Sequence, residues 1–208
     1  MTTYNSCFVS LSTSQKLQKR VFDVFFSSLV LLVTWWLILV AWLVASFDTR
    51  SNGFFIQKRV GCNGKIFGVV KIKTMSLVAG IDTTVTCRGD PRITPLGAFF
   101  RRTKIDELPQ LWNVFIGEMS FVGPRPDVPG FADTLQGEAR AILSLRPGIT
   151  GPATLKYRNE EEILSQQDDP ESYNQNVIWP DKVTINLDYI RNWSLRSDIR
   201  YILETVLH

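Results

Sequence analysis

The feature that most constrains this chain is a stretch without any charged side chain, residues 24–47, rich in Leu, Val, Ile and Trp. About 20 apolar helical residues cross the roughly 30 Å of hydrocarbon in a bilayer. A signal peptide is shorter and ends in a small-residue cleavage pattern, which this segment does not show. A buried helix of a soluble core is the alternative, but a helix that is apolar on every side is typical of lipid. The sequence therefore predicts a membrane-inserted helix within an N-terminal segment, residues 1–50.

Both ends of this stretch carry basic residues. Lys16, Lys19 and Arg20 precede it, and further basic side chains follow from Arg50 onward. Since positive flanks favour the cytoplasmic face, both ends are expected on the same side, which predicts a re-entrant helix rather than a simple span. Asp23 lies one turn after Lys19 and Arg20, where a carboxylate at the lipid boundary is expected to be paired. We expect Lys19, Arg20 and Asp23 to anchor the helix at the membrane.

After residue 50 the composition becomes mixed, which predicts a separate domain over residues 51–208. Residues 54–60 and 65–75 read as strands, with the turn 61–64 (GCNG) between them, and residues 80–90 read as a loop. Asn159, followed by three glutamates, predicts a helix cap. Helices are predicted over 98–104, 109–116, 130–145, 160–166, 182–192 and 198–207. The expected fold class is α+β, mainly helical, with a short β-hairpin and some helices lying on the membrane surface.

Composition excludes several kinds of chemistry. The net charge of +3 is too small to predict nucleic-acid binding, so we expect no nucleic-acid partner. Cys7, Cys62 and Cys87 have no metal-ligand spacing and are odd in number, which indicates a reduced, cytosolic setting without a zinc site. The single histidine, His208, makes histidine-based acid-base chemistry improbable. Catalysis would therefore use carboxylates, lysines, tyrosines or a metal.

Asp106 and Glu107 are adjacent carboxylates that follow a basic cluster and precede Pro109. Because proline is favoured at the start of a helix, both acids are predicted in the entry turn, where they can converge near a helix end that favours phosphate. Two carboxylates can bind Mg²⁺, or one of them can be a nucleophile toward a phosphoryl group. The structural alternative is that Asp106 caps the helix and Glu107 pairs with Lys104.

Four motifs surround this pair: residues 71–75 (KIKTM), 106–113 (DELPQLWN), 119–126 (MSFVGPRP) and 146–151 (RPGITG). In this order they resemble the bacterial sugar transferases, specifically the small monotopic phosphoglycosyl transferases. The resemblance runs from about Lys16 to the C-terminus, and residues 19–23 (KRVFD) match the family's membrane-anchoring segment.

The resemblance implies transfer of a phosphosugar from a UDP-sugar donor to a polyprenol (undecaprenyl) phosphate acceptor, releasing UMP, at the first membrane step of bacterial glycoconjugate assembly. Asp106 would be the nucleophile and Glu107 a ligand of Mg²⁺, with both acids at the metal. The substrate and phosphate site would include Arg101, Arg125, Arg146, Pro124 and Pro126, the two prolines shaping the loop. The enzyme would sit among lipids of the bacterial inner membrane with its catalytic domain on the cytoplasmic face; a homo-oligomer is left open.

The sequence departs from the family at two places. Trp35 and Trp36 stand where the family has a helix-bending Ser-Pro pair, and Asn186 stands where it has an acid, with Asp188 as a substitute candidate. The sequence does not specify the sugar. Two alternatives stay open: an inactive membrane-tethered scaffold of a glycan-assembly complex, and a membrane-tethered Mg²⁺-dependent phosphohydrolase.

Overall fold

The computed structural model describes residues 10–76 and 89–207. Most of the loop predicted over residues 80–90 lies outside these ranges, as do Cys7, Cys87 and His208. Helix α1, Thr13–Thr49, begins at a capping box between Ser12 and Gln15 and ends at Arg50, whose φ of 49° is left-handed. It is the one helix in the described part of the chain that is long and apolar enough to cross a membrane. Its 37 residues give a length of about 55 Å.

Only one narrow stripe of α1 is buried. Its members are Lys19, Asp23, Ser27, Ala41 and Ala45, spaced by multiples of about one helical turn. The middle of the helix exposes large apolar side chains, with Leu32 74% and Trp35 60% exposed. The helical assignment continues without a break through Trp35 and Trp36. The helix therefore contacts the rest of the protein near both of its ends and presents an uncovered apolar surface between them.

The predicted β-hairpin is confirmed. Strands β1, Phe54–Val60, and β2, Ile66–Ile72, pair in antiparallel register, with Phe54 opposite Ile72 and Val60 opposite Ile66. The connection is a short 3₁₀ turn, Cys62–Gly64, in which Asn63 and Gly64 have φ of 57° and 76°. Asn and Gly adopt this left-handed geometry most readily, so the sequence of the turn accounts for the tight reversal.

Seven further helices follow the hairpin, and the helical character predicted for this part is confirmed. They are α2 (Pro95–Thr103), α3 (Gln110–Ile116), α4 (Pro152–Lys156), α5 (Glu160–Ser165), α6 (Pro170–Tyr173), α7 (Trp179–Arg191) and α8 (Leu195–Leu207). A π-helical segment, Asn174–Ile178, joins α6 to α7. The predicted cap at Asn159 is wrong, because its side chain makes no capping hydrogen bond.

The helix predicted over residues 130–145 is also wrong. The chain forms two 3₁₀ segments instead, Ala132–Thr134 and Gly137–Ser144. Gly130 and Gly137 have φ of 103° and 57°, which an α-helix does not allow. The three consecutive residues Ala141, Ile142 and Leu143 are all buried, so this segment does not have the single buried face of a surface helix.

A parallel pair of short strands, absent from the sequence prediction, lies in the middle of the domain. Strand β3, Ser120–Val122, pairs with β4, Gly148–Thr150. A Cβ atom on Gly148 would lie 2.2 Å from the backbone nitrogen of Gly123, so only glycine permits this close approach. The pair adjoins the largest core cluster, which includes Val122, Ile142, Leu145, Ile190 and Trp193.

The three residues predicted to anchor α1 at the membrane all contact the protein itself. Lys19 Nζ donates to Asp198 at 2.5 Å and to the Tyr189 hydroxyl at 3.2 Å. Asp23 accepts from Ser120 Oγ and from the backbone nitrogen of the next residue, both at 3.1 Å. Arg20 donates to the carbonyl oxygens of residues 114 and 115 at the end of α3. The expected pairing of Asp23 with Lys19 or Arg20 is therefore replaced by contacts that attach α1 to the domain, and their role toward lipid stays a prediction.

Removal of one partner of the Lys19–Asp198 ion pair should be costly, because both residues are buried and Tyr189 and Trp193 also donate to Asp198. We predict that Asp198→Asn lowers the free energy of unfolding by about 3–5 kcal/mol, since it leaves the buried Lys19 ammonium without its ion-pair partner. The measurement is chemical denaturation of the detergent-solubilised protein.

The matched control on the same helix is Arg200→Gln, which removes an exposed ion pair with Glu204. Its expected effect is below about 1 kcal/mol. Equal effects of the two substitutions would contradict the structural role given to Lys19 and Asp198.

Candidate active site

The acid pair lies in a turn between two helices. Asp106 and Glu107 belong to a 3₁₀ turn, Ile105–Glu107, that follows α2. Lys104 has a left-handed φ of 58°, which ends α2 and redirects the chain. Leu108 and Pro109 continue in right-handed geometry into α3. The predicted placement of both acids in the entry turn is therefore confirmed.

Glu107 forms the charged contacts of the site. Its Oε1 accepts from Arg125 Nη2 at 3.1 Å and from Lys71 Nζ at 3.5 Å. Burial alone would raise the pKa of Glu107, but the charges of Arg125, Lys71 and Lys104 outweigh it and lower the pKa to about 2. Glu107 is therefore ionised at any physiological pH.

The structural alternative for the two acids is wrong. The N-terminus of α3 receives no side-chain cap, so Asp106 does not cap it. Glu107 pairs with Lys71 and Arg125 rather than with Lys104. Neither carboxylate therefore has the helix-stabilising role of that alternative.

Asp106 is the unusual member of the pair. It is only 8% exposed, and its Oδ1 is buried without a hydrogen-bond partner among the described residues. Burial and the neighbouring Glu107 raise the pKa of Asp106 to about 6, against the opposing charges of Lys71, Lys104 and Arg101. Above this pH the carboxylate is charged and poorly solvated, and its Oδ1 accepts no hydrogen bond from the described residues, which are properties of a reactive nucleophile.

Two residues of the site were not singled out by the sequence. Lys71 lies on β2, and burial together with Arg125 lowers its pKa to about 8. Gln110, one helical turn after Asp106, has a buried Nε2 without a partner in the part of the chain that the structure describes. The motif at residues 71–75 was the available signal for Lys71. Gln110 stood inside the motif at 106–113 without any chemical signal of its own.

Asn113 explains how β2 comes to face the acid pair. Its side-chain nitrogen donates to Gly68 O at 2.8 Å and to Glu118 at 2.7 Å, while its Oδ1 accepts from Val70 N at 3.1 Å. The bonds to Gly68 O and Val70 N attach α3 to two residues of β2. Lys71, the next residue after Val70, is thereby held beside Glu107.

Arg125 is placed by the loop after β3. Pro124 O accepts from Gly148 N at 2.8 Å, and Pro126 O accepts from Arg59 Nη1 at 3.0 Å. Both prolines are buried, so the loop is held on either side of the arginine. The Arg125 side chain is 44% exposed and uses only Nη2 toward Glu107, which leaves its other nitrogens available to a ligand.

Two of the predicted site residues, Arg101 and Arg146, do not contact the acid pair directly in the described structure. Arg101 acts on Asp106 electrostatically, but its guanidinium donates to Glu161 of α5 at 2.5 Å. Arg146 donates to Gly117 O at 2.7 Å, beside Arg20 at the end of α3, and does not contact the acid pair within the described chain. Arg125 is thus the predicted arginine in direct contact with the acids.

Asn186 stands where the family has an acid, and Asp188 is the candidate to replace that acid; the two residues differ in their surroundings. Asn186 on α7 is 4% exposed, and its Oδ1 has no partner among the described residues. Asp188 is 61% exposed and pairs with Arg191. Asp188 therefore points to the surface and does not take the place of an acid at residue 186.

Within the described residues, no group of three or more His, Cys, Asp or Glu side chains could hold a metal ion. Mg²⁺ does not require one, because it is commonly bound through one or two carboxylates with water and substrate phosphates completing the shell. The unpartnered Oδ1 of Asp106, next to the ionised Glu107, fits this requirement.

Comparison with known proteins identifies the family to which the sequence is similar. The sequence model of the family described as bacterial sugar transferase matches residues 14–208. An undecaprenyl-phosphate glucose phosphotransferase of Komagataeibacter xylinus is 36% identical over 94% of this chain and 36% of its own length. A UDP-glucose:undecaprenyl-phosphate glucose-1-phosphate transferase of Caulobacter vibrioides is 34% identical over 91% of this chain and 68% of its own length. A putative undecaprenyl-phosphate N-acetylgalactosaminyl 1-phosphate transferase of Bacillus subtilis is 41% identical over 68% of this chain and 79% of its own length.

The chain spans only part of several of these relatives. It covers 36% of the Komagataeibacter protein and 41% of an uncharacterized sugar transferase of Haemophilus influenzae that is 31% identical. The shared part is therefore the region that contains the acid pair and the long apolar helix.

The two acids should affect stability in opposite directions at pH 7.5 in metal-free buffer. The pKa of Asp106 is raised to about 6 in the folded protein, so the folded state is favoured while this carboxyl is protonated, below about pH 4. This contribution is lost as pH rises through about 6, and at pH 7.5 the charged, buried carboxylate destabilises the fold. Asp106→Asn removes that charge and should therefore stabilise the protein. The lowered pKa of Glu107 stabilises the fold above its ordinary value and is lost as pH falls through about 2, so Glu107→Gln should destabilise it.

Each change should be on the order of 2 kcal/mol, measured by denaturant unfolding with a chelator present. The Asp106→Asn gain should disappear below about pH 4, where the wild-type carboxyl is protonated in both states. Changes of the same sign in the two variants would contradict the electrostatic asymmetry of the pair.

Proposed function

The chain belongs to the bacterial sugar transferase family, and on that premise we propose that it transfers a phosphosugar from a UDP-sugar to membrane polyprenol phosphate. The products are polyprenol diphosphosugar and UMP, and the step would begin the assembly of a bacterial glycan. The observation that carries the proposal is the buried carboxylate of Asp106, whose Oδ1 has no partner among the described residues, beside the Glu107–Arg125 pair. The relatives named for undecaprenyl-phosphate and UDP-glucose support the same acceptor and donor classes.

The proposed reaction has two displacements at one phosphorus. A carboxylate oxygen of Asp106 attacks the sugar-side phosphorus of the donor, the bond to the bridging oxygen breaks, and UMP leaves with the electron pair. A phosphosugar ester then remains on Asp106. An oxygen of polyprenol phosphate attacks the same phosphorus and releases the Asp106 carboxylate.

Attack of a carboxylate on a diphosphate requires compensation of like charges. Arg125 and Lys71 supply two cations beside the acids, and Arg125 has nitrogens free for phosphate oxygens. Arg101 acts on Asp106 from α2 and can turn to a phosphate when it leaves Glu161. The raised pKa of Asp106 keeps its basicity close to the working pH, which favours nucleophilic attack.

We propose Mg²⁺ as the cofactor, bound by Glu107 and by the Asp106 oxygen that is not attacking. The ion would neutralise charge on the diphosphate and on the departing UMP. Asp106 Oδ1 has no hydrogen-bond partner among the described residues, so it can bind the ion. Glu107 would be a negatively charged ligand at every working pH, because its pKa is about 2.

We propose that α1 is re-entrant and that the domain lies on the cytoplasmic face of the bacterial inner membrane. Lys19 and Asp23 contact α8 and β3, while Ala41 and Ala45 pack with Ile72 at the other end of the apolar stretch. A straight span would carry one of these ends about 30 Å away from the domain. Exposed apolar side chains on α3 and α8 would rest on the bilayer surface; they are Trp112, Phe115, Ile116, Ile199, Leu203, Val206 and Leu207.

Asp106→Asn should reduce UMP release from every UDP-sugar by at least about 1000-fold, because the amide cannot form the phosphosugar ester. The measurement is UMP release by the purified protein from a panel of UDP-sugars, combined with intact-protein mass analysis before acceptor is added. The wild type should gain the mass of one phosphosugar.

The matched control is Asp168→Asn, which changes an exposed acid and should retain both UMP release and the mass gain of one phosphosugar. Full transfer by Asp106→Asn would exclude the covalent mechanism. Turnover of no donor by the wild type would favour the scaffold alternative, and free sugar phosphate without lipid product would favour a phosphohydrolase.

Removal of divalent cations should stop the first displacement. We expect a chelator to abolish UMP release and added Mg²⁺ to restore it, whereas Glu107→Gln should require a higher Mg²⁺ concentration for half-maximal rate because one charged ligand is lost. The measurement is the initial rate of UMP release against Mg²⁺ concentration. An unchanged Mg²⁺ requirement in Glu107→Gln would contradict its role as a ligand.

A further inference from the structure

Asp127 is a charged residue near the acid pair that the proposed transfer does not use. It lies two residues after Arg125, and its backbone oxygen accepts from Val60 N at 2.9 Å. Arg59 Nη1 holds the preceding carbonyl, that of Pro126, at 3.0 Å. Strand β1 therefore fixes the path of the loop, and the half-buried Asp127 is held in a defined position beside Arg125.

The carboxylate of Asp127 lies among cations that bind other groups. Lys182, Arg59 and Arg125 all attract it electrostatically, and Glu160 opposes them. Lys182 Nζ donates to both carboxylate oxygens of Glu160, at 2.8 and 2.7 Å. In the part of the chain that the structure describes, no side chain or backbone group donates a hydrogen bond to the Asp127 carboxylate. It is thus attracted by charge but has no hydrogen-bond donor.

This arrangement leaves an acceptor open. Burial raises the pKa of Asp127 to about 6 against the charges of Lys182, Arg59 and Arg125, so the group is still ionised at pH 7.5. Asp127 is half-buried rather than sealed from solvent, so its carboxylate stays accessible to a ligand that supplies hydrogen-bond donors. An ionised carboxylate has two oxygens, both of which only accept, so the missing partner is a donor of hydrogen bonds.

A buried, unsatisfied acceptor lies beside Asp127. Asp127 and Asn186 both line a small cavity of about 20 Å³, large enough for one water, and the buried Oδ1 of Asn186 has no partner within the described residues. Two acceptors at one end of the site disfavour a further phosphate and suit a ligand with hydroxyl groups, which would donate to Asp127 directly and to Asn186 through one water in the cavity.

We propose that Asp127 binds a pair of ring hydroxyls of the nucleotide-sugar donor, belonging either to the hexose or to the ribose. The inference rests on the proposed function, because the donor's diphosphate at Arg125 is what brings a sugar ring to Asp127. Two residues span at most about 7 Å, comparable with the separation between a phosphate and the hydroxyls of an attached ring. Asp127 would thereby contribute to donor recognition without touching the reacting phosphorus.

The test compares wild type, Asp127→Asn and the exposed control Asp168→Asn in the full-length, detergent-solubilised protein. One measurement is the KM for UMP release with the best UDP-sugar of a panel and with its analogues lacking one hexose hydroxyl. The other is the inhibition constant of UMP and of 2′-deoxy-UMP. Asp127→Asn should raise the KM of the parent donor about tenfold or more, with kcat changed less, because it weakens charge-assisted hydrogen bonds to the bound ring.

The pattern across the analogues identifies the ring. If the hexose is bound, removal of the contacted hydroxyl should raise KM in the wild type but not in Asp127→Asn, while UMP inhibition stays unchanged. If the ribose is bound, the wild type should prefer UMP to 2′-deoxy-UMP and Asp127→Asn should lose that preference. This loss of discrimination for one hydroxyl separates direct binding from a general disturbance of the loop.

Two results would overturn the inference while leaving the proposed function intact: an unchanged KM in Asp127→Asn, or an equal increase for every donor and analogue. If wild type released UMP from no donor, the proposed function would fail. The inference would then be decided by thermal-shift titration of the same proteins with UDP-sugars, UMP and 2′-deoxy-UMP. Equal shifts in wild type and Asp127→Asn would refute it, and loss of discrimination for one hydroxyl would uphold it.

Discussion

Two neighbouring carboxylates shielded from water repel each other, and much of this domain is arranged around that constraint. The repulsion is resolved unequally: Glu107 receives the direct contacts of Arg125 and Lys71, whereas no described residue forms an ion pair with Asp106. The pKa of one acid consequently falls to about 2 while that of the other rises to about 6. Environments that separate the pKa values of two like groups commonly assign them different roles in catalysis. Here the separation suits a metal ligand and a nucleophile.

Strand β3 connects the long apolar helix α1 with the loop that contains Arg125. Asp23 of α1 accepts hydrogen bonds from the first two residues of β3, and Arg125 follows the end of that strand by three residues. The buried Lys19–Asp198 pair secures the adjoining turn of α1 to α8. Buried charges of this kind require defined geometry, since an unpaired partner is costly. The position of α1 and the position of Arg125 are therefore coupled through only a few residues.

Local signals in the sequence were sufficient for the hairpin, for most helices and for the acid pair. Asn63 and Gly64 determine the turn, and Pro109 places Asp106 in the helix entry. The errors arose where distant segments decide the outcome. The prediction of a helix over residues 130–145 did not account for the left-handed backbone of Gly137. The β3–β4 pair was not predicted because its strands are too short to show a periodic pattern. Lys71 and Asp127 acquire their importance from contacts and charges across the fold, which no spacing along the chain reveals.

Asn186 is a neutral side chain at a position where the family has an acid, and its surroundings explain why a neutral residue fits there. An aspartate there would be nearly fully buried and would share a small cavity with Asp127, so two carboxylates would repel each other without an intervening donor. Asn186 removes one charge and keeps the shape of the side chain. The cations Arg59 and Lys182 can then balance Asp127 alone, which lets a single carboxylate remain ionised at the end of the site beyond Arg125. The neutral residue at 186 is thus physically consistent with retaining charge at 127.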